Sequence, residues 1–213
     1  MKICLLPGDG IGVEIVDAAV EVLDAAAKKY GFEIEYDKQL IGGCAIDATG
    51  VPLPEATIAS AKAADAVLLG AVGGPKWDNV APDIRPEKGL LGIRKALGLY
   101  CNLRPMTVSK FTAHLSPLKT ERAEGADLLI VRELTGGIYF GEHNEAHLNA
   151  DGVEEASDVE LYTRPEVERI ARFAFEAAKK RRGKVTSVDK ANVLGSSRMW
   201  RKIVAEMQAK DYP

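Results

Sequence analysis

The chain has few cysteines, and its three, Cys4, Cys44 and Cys101, are far apart with no CxxC pair. Such a count and spacing exclude a disulfide scaffold and a cysteine-rich zinc site, and indicate a reducing, cytoplasmic environment. No apolar run approaches the ~18 residues of a membrane span. The first apolar stretch meets Pro7 too early for a signal peptide, so we expect neither membrane insertion nor secretion.

The chain also lacks a surplus of basic residues. It has 28 Lys and Arg against 31 Asp and Glu, a net charge of −3, whereas duplex-binding domains are usually basic. The single basic run, residues 179–182, lies at the end of a predicted helix, where the helix dipole stabilises cations. His143 and His147 are four residues apart in an acidic stretch with no third ligand, so the sequence predicts neither nucleic-acid binding nor a histidine metal site.

What is present is typical of a soluble globular protein of the α/β class. The 213 residues are 46% hydrophobic and 28% charged, enough for one large domain or two small ones. Short apolar runs alternate with amphipathic segments along the chain. The predicted strands are 2–6, 33–37, 66–69, 100–108, 127–131, 138–140 and 184–188. The predicted helices run to Tyr30, from Pro52 or Pro54, over 93–97, from Pro165 to Arg182, and over 196–210.

Two segments show little periodicity. Residues 70–92 are rich in glycine and proline and predict a long irregular loop, which is too long to be an idle connection. Residues 141–158 are polar and acidic, and predict a solvent-exposed excursion. Between the first strand and helix, residues 8–12 read GDGIG, a position suited to an anion or nucleotide. The glycine spacing does not match GxGxxG, and a tight structural turn explains it equally well.

Three arginines stand out. Arg94 lies near the end of the irregular loop, Arg104 lies in the segment NLRP, and Arg132 directly follows the apolar run 128–131. Guanidinium groups bind carboxylates bidentately, so three converging arginines would suit a dicarboxylate. An internal salt-bridge set explains the same residues equally well, with the acids Glu87, Glu133 and Glu142.

Tyr139 and Lys190 are two further candidates for chemistry. Tyr139 lies between glycines that would let a ligand approach the backbone, although a buried tyrosine is more often structural. Lys190 follows the predicted strand 184–188, where burial would lower its pKa and make it a base, although most lysines are solvated.

Five segments together resemble one family, the NAD-dependent β-decarboxylating hydroxyacid dehydrogenases that include isocitrate and isopropylmalate dehydrogenases. They are LLPGDGIG at 5–12, LLGAVGGPKWD at 68–78, RPEKGLLGIRKALGLYCNLRP at 85–105, LIVRELTGGIYFGE at 129–142 and SVDKANVL at 187–194. The resemblance implies a two-domain α/β fold with a large mixed sheet, not a Rossmann fold, incomplete in this chain. Residues 1–99 would begin a discontinuous cofactor-binding domain, and 100–213 would form the second, substrate and dimerisation domain.

The resemblance also implies roles for particular residues. Tyr139 and Lys190 would be the acid–base pair, and Arg94, Arg104 and Arg132 would bind the malate carboxylates. Leu90, Leu91 and Val193 would contact the substrate, while Ile11, Gly74, Glu87 and Asn192 would contact NAD. Asn192 and Val193 would reach the partner subunit's active site, which implies a homodimer. The expected Mg²⁺ or Mn²⁺ would be held by aspartates beyond Pro213, with no metal ligand in this chain.

The choice between an isopropyl group and a carboxylate as the substrate's side group has a physical basis. Isocitrate dehydrogenases carry polar residues where this chain has Gly89-Leu90-Leu91-Gly92. Burial of an isopropyl group there is favourable by roughly 1.5–3 kcal/mol, whereas an unpaired carboxylate would be penalised. The resemblance thus implies oxidative decarboxylation of 3-isopropylmalate in leucine biosynthesis. Tartrate- or malate-type relatives, and an inactive fragment that keeps a dicarboxylate pocket, stay open as alternatives.

Overall fold

Strand β1, Lys2–Gly8, is the middle strand of a parallel three-stranded sheet in the order β2-β1-β3. The computed structural model describes all residues, Met1–Pro213. The chain divides into two compact units, Met1–Gly98 and Leu99–Pro213. The further elements of the first unit are α1 Ile11–Tyr30, β2 Glu35–Lys38, α2 Gly43–Thr49, α3 Glu55–Ala63, β3 Ala66–Ala71 and α4 Pro86–Ala96.

Apolar residues on both faces of β1 place it at the centre of the first unit. Side chains alternate between faces of a strand, so Cys4 and Leu6 pack into one cluster, and Ile3 and Leu5 into another. Ile41, Ala61 and Ile93 complete the first cluster, and Val16 of α1 completes the second. A strand covered on both faces reads as a continuous apolar run, which is why it was predictable.

Helix α1 follows its sequence prediction closely. It ends at Tyr30, and the capping residue Gly31 has φ +72° and donates its N–H to the carbonyl of Ala27. Its buried residues are Gly12, Val16 and Ala27, whereas Val13 is 44% exposed. A side chain at Gly12 would collide with the Pro7 carbonyl, so only glycine lets the helix start this close to β1.

The predicted irregular loop over 70–92 is wrong in its last third. Helix α4 already begins at Pro86, which occupies the first turn, where proline is favoured. Gly89 is buried in this helix, and a Cβ there would lie 2.5 Å from the carbonyl oxygen of Pro52. This glycine serves close packing rather than a turn. Helix α2 was not predicted, since seven residues are too few to show a period.

The second unit contains two separate antiparallel strand pairs and two long helices. Its elements are β4 Cys101–Thr107, α5 Thr120–Ala123, β5 Asp127–Glu133, β6 His143–Leu148, β7 Glu154–Asp158, α6 Arg164–Lys179 and α7 Gly195–Asp211. Strands β4 and β5 form one pair, and β6 and β7 form the other. The chain combines a parallel sheet and two antiparallel strand pairs with helices, so the predicted α/β class is confirmed.

Three strand predictions in this unit need correction. The strand over 127–131 exists but is not buried, because Leu128 and Ile130 are about half exposed in a sheet of two strands. Residues 138–140 do not begin a strand, since Gly137–Tyr139 form a 3-10 turn. Residues 184–188 are not a strand, because no other strand of the chain pairs with them. The exposed excursion over 141–158 is confirmed as exposed, although it forms the hairpin β6–β7.

Helices α6 and α7 pack together through an apolar cluster. Its buried members are Val167, Ala171, Phe175, Ile203 and Met207. Thr163 begins α6 with a capping box, in which the backbone N–H of Thr163 donates to Glu166 at 2.7 Å. No helix of the chain is both long and apolar enough to cross a bilayer.

Candidate functional site

Helix α4 carries four predicted site residues on one side. Glu87, Leu90, Leu91 and Arg94 are spaced by three or four residues, so they lie on one face of the helix, and the three after Glu87 are half-buried. A different face of the helix carries Pro86, Gly89 and Ile93, which are all buried. The helix therefore presents an acid, two leucines and an arginine together.

Ile11 and Gly74 lie just after the ends of two neighbouring strands, at one edge of the parallel sheet. Ile11 follows the end of β1, and Gly74 follows the end of β3; these strands are parallel neighbours. Ile11 is 65% exposed at the start of α1. Side chains at Gly8 or Gly12 would collide with backbone atoms of Pro7 or Ala71, so the turn lies directly against the β3 end. Such an edge is where α/β proteins bind ligands.

Sequence reasoning missed Asp9, which lies inside this turn. Asp9 is 3% exposed. Its carboxylate accepts hydrogen bonds from the backbone N–H groups of Gly43, Cys44 and Gly73, each at 2.7 Å. The sequence signal that could have identified it is an acidic residue placed between two glycines in the tight turn after β1.

In the second unit, Arg104 and Arg132 lie on the same face of the β4–β5 pair. Asn102 pairs directly with Arg132, and Arg104 is two residues further along β4. The Nε of Arg104 donates to Oδ1 of Asn102 at 2.7 Å. Antiparallel register thus brings two of the three predicted arginines together, with an asparagine that orients one of them.

Tyr139 lies beside Arg132. The Cζ atom of Arg132 is 5.2 Å from the centroid of the Tyr139 ring, which is within cation–π range. Tyr139 is 53% exposed, so the interpretation of a buried structural tyrosine is wrong. The 3-10 turn, rather than a strand, brings its phenol out to solvent beside the guanidinium.

A buried acid fixes the turn that leads to Tyr139. The Glu133 side chain is 2% exposed, and it accepts N–H groups from Thr135 at 2.9 Å and Gly136 at 2.7 Å. Its counter-charge is Arg169 of α6, at 2.5 Å, whose guanidinium also lies over the Tyr100 ring. The salt-bridge alternative for the predicted arginines is therefore wrong for Glu133, because α6 supplies its partner.

Lys190, Asn192 and Val193 lie in the segment that precedes α7, and all three are exposed. The burial on which the base hypothesis for Lys190 rested is therefore absent, since residues 184–188 form no strand. The neighbouring Asp189 accepts hydrogen bonds from Nε and Nη2 of Arg201 at 2.9 and 2.7 Å, and this pairing lowers the pKa of Asp189. Asp189 thus anchors the segment to α7 and leaves Lys190 turned to solvent.

No three His, Cys, Asp or Glu side chains of Met1–Pro213 lie close enough together to hold a metal ion. Each histidine of the exposed hairpin has an acidic neighbour instead. His143 Nδ1 lies 2.6 Å from Asp158, and His147 Nε2 lies 3.4 Å from Glu155.

Comparison with known proteins assigns the class of protein. The family model described as isocitrate/isopropylmalate dehydrogenase matches residues 2–213, and the chain belongs to that family. The predicted resemblance is therefore confirmed.

Within the family, the similarity is high to 3-isopropylmalate dehydrogenases. Those of Bacillus licheniformis and Bacillus subtilis are 59% and 54% identical over 212 residues, in alignments that cover 100% of this chain to the nearest per cent. Among solved structures, isocitrate dehydrogenase from Methylococcus capsulatus aligns over the whole of this chain with a TM-score of 0.79 at 35% identity. This chain covers 57% of that structure. The chain likewise spans 57% and 58% of the two Bacillus proteins.

Proposed function

We propose that the full-length protein to which this chain belongs catalyses the NAD-dependent oxidative decarboxylation of 3-isopropylmalate to 4-methyl-2-oxopentanoate, a step of leucine biosynthesis. The observation that carries this proposal is the pairing of Arg104, Arg132 and Tyr139 on one surface of the second unit. Two guanidinium groups suit carboxylates, and a phenol beside them is a proton donor. The high identity to proteins named 3-isopropylmalate dehydrogenase supports the choice of substrate.

Helix α4 supports the choice of isopropylmalate over isocitrate. Leu90 and Leu91 share its presented face with Arg94, so a substrate carboxylate bound by Arg94 would bring its side group near leucines. An isopropyl group is stabilised by such contacts, whereas a carboxylate would lose its hydration without gaining a partner.

The first unit has features that fit NAD. Its GDGIG turn and the loop after β3 form a glycine-lined edge, with Ile11 exposed beside it and Glu87 on the adjoining helix. We infer that Ile11, Gly74 and Glu87 contact the cofactor. The family resemblance adds Asn192 to the residues proposed to contact NAD. NAD⁺ would supply the hydride acceptor for oxidation at C2 of the substrate.

The proposed chemistry of the chain's own residues has three parts. Arg94, Arg104 and Arg132 hold the carboxylates and fix the substrate's orientation. Lys190 Nζ takes the proton of the C2 hydroxyl. After CO₂ is lost, Tyr139 Oη protonates the resulting enol carbon, and the adjacent Arg132 guanidinium stabilises the phenolate that this leaves.

The family resemblance also implies Mg²⁺ or Mn²⁺, but the described residues contain no cluster that fits either ion. No step is therefore assigned to a metal held by residues 1–213. We further propose that residues 1–99 begin a discontinuous cofactor-binding domain, and that 100–213 belong to the substrate domain of a homodimer. Asn192 and Val193 are both exposed, as a contact with a partner subunit requires.

The test is steady-state kinetics of the full-length protein, followed by NADH absorbance, with 3-isopropylmalate, isocitrate, malate and tartrate as substrates. We expect turnover with isopropylmalate, and kcat losses of about 10²–10⁴ for Tyr139→Phe and Lys190→Met. Tyr139→Phe should impair CO₂ release more than NADH formation, whereas Lys190→Met should impair both.

Tyr30→Phe is the matched control, because Tyr30 is 71% exposed at the end of α1 and should leave kcat unchanged. Preference for malate or tartrate would replace the substrate assignment. Wild-type binding of isopropylmalate without any turnover would instead identify a dicarboxylate-binding protein.

A further inference from the structure

Asp9 is a buried acid whose hydrogen-bond partners are three backbone amides from two other segments. Its Oδ2 accepts the N–H groups of Gly43 and Gly73, and its Oδ1 accepts that of Cys44, all at 2.7 Å. Its own N–H donates to the carbonyl of Ala71 at 2.7 Å. One residue thereby joins the β1 turn to the start of α2 and to the loop after β3.

The loop after β3 is held against α2 at a second point. Trp77 packs on Gly43, where any added Cβ would collide with the indole ring. The Trp77 Nε1 and Lys76 Nζ both donate to Asp47 of α2, at 3.2 and 2.6 Å. Residues 73–77, which include Gly74, are thus fixed at one end by buried Asp9 and at the other by the more exposed Asp47.

We propose that Asp9 is a positioning residue for the cofactor, because its carboxylate sets the distance between the Ile11 turn and the Gly74 loop. This inference rests on the proposed function, in which Ile11 and Gly74 contact NAD. Asp9 itself need not touch the cofactor. Its role is to hold two glycine-rich loops at one fixed separation.

The carboxylate is chemically required at this position. Two oxygens accept three N–H groups, and Oδ2 takes two of them. An asparagine has a single acceptor oxygen, and its NH₂ would face at least one of these N–H donors, leaving a buried donor without a partner. Gly42 shows how little room exists, since a Cβ there would lie 2.5 Å from Oδ2 of Asp9.

The experiment compares Asp9→Asn with wild type in the full-length protein, by calorimetric titration with NAD⁺ in the absence of substrate. We expect the Kd for NAD⁺ to rise about tenfold, as for loss of one hydrogen bond to a charged group. The KM for NAD⁺ should rise in parallel. The KM for isopropylmalate should change less than about twofold, because changes at sites without shared partners act independently. Amide exchange at Gly73 should also accelerate.

Thr57→Val is the matched control. The Thr57 hydroxyl is as buried as Asp9 and donates to the carbonyl of Leu40 at 2.7 Å, but neither residue belongs to the two loops. This variant should lower the unfolding temperature yet leave NAD⁺ affinity unchanged.

The outcomes separate this inference from the proposed function. An unchanged NAD⁺ Kd in Asp9→Asn, with wild type binding normally, overturns the positioning role alone. An equal weakening in Thr57→Val also overturns it, because general destabilisation would then explain the effect. Absence of NAD⁺ binding by wild type would refute the proposed function, and the inference with it.

Discussion

The two units fix their site-bearing turns around buried acids in different ways. In the first unit, Asp9 is balanced by backbone N–H groups alone. In the second, Glu133 is balanced by the Arg169 guanidinium as well as by two N–H groups.

The same difference extends to other elements. Helices α1 and α2 begin at glycines without side-chain caps, and Asp9 satisfies the first amides of α2 from a distant turn. Helix α6 begins with the local Thr163–Glu166 capping box. The start of β5 is held by Arg181 and Arg182, which both donate to Asp127. Charge and side-chain contacts therefore stabilise the second unit, and we expect it to respond more strongly to charge removal and acid.

The largest expected effect is that of Glu133→Ala. It leaves the Arg169 guanidinium beside an empty space and two turn amides without an acceptor, so we expect a loss of about 2–4 kcal/mol in the free energy of unfolding. Urea denaturation of the full-length protein measures it. Glu133→Ala and Arg169→Ala together should cost less than the sum of the two single changes.

Glu142→Ala is the control for this cycle, because Glu142 is exposed and its only described side-chain bond is a long one of 3.5 Å from Asn144. It should change the free energy of unfolding by no more than about 0.5 kcal/mol. Strict additivity of the Glu133 and Arg169 changes would contradict the assigned ion pair, and would remove the main contrast with Asp9.

A smaller effect is expected for Thr163→Ala at the start of α6. Loss of the capping side chain should cost about 1 kcal/mol, which thermal unfolding followed by circular dichroism would detect. Thr186→Ala is the comparison, since Thr186 is exposed and outside any helix. Equal unfolding temperatures for the two variants would show that the box does not stabilise the helix.

The smallest effect is a pH dependence at Asp127. Its hydrogen bond from Arg181, supplemented by Arg182, lowers the pKa of this carboxyl below its ordinary range. A lowered folded-state pKa contributes stability that is present above the ordinary carboxyl pKa, and is lost as pH falls through the folded value. Below about pH 4, Asp127→Asn should therefore lose stability less steeply than wild type.

Denaturation midpoints measured between neutral and strongly acidic pH would test this slope. Asp65→Asn provides the control on the first unit, because Asp65 accepts a backbone N–H from Lys2 and no arginine. Identical slopes for wild type and Asp127→Asn would contradict a paired Asp127.

Local patterns predicted those elements whose partners are close or whose pattern is strong. Strand β1 and helix α1 follow from a continuous apolar run and from a glycine stop, and α6 from its first-turn proline. Residues 184–188 have the composition of a strand but not the structure, because strand formation needs a neighbouring strand to accept its hydrogen bonds. Gly89 suggested a loop, although it is a packing position inside a helix.

The sequence by itself determined the α/β class, the family and the residue types of the candidate site, since these depend on motifs and on periodicity within short segments. The tertiary structure alone decided which residues meet. Antiparallel register placed Arg104 beside Arg132, a 3-10 turn set Tyr139 next to that guanidinium, and α6 supplied the partner of Glu133. The role of Asp9 likewise depends on amides 34 to 64 residues away, and no local pattern encodes contacts at that separation.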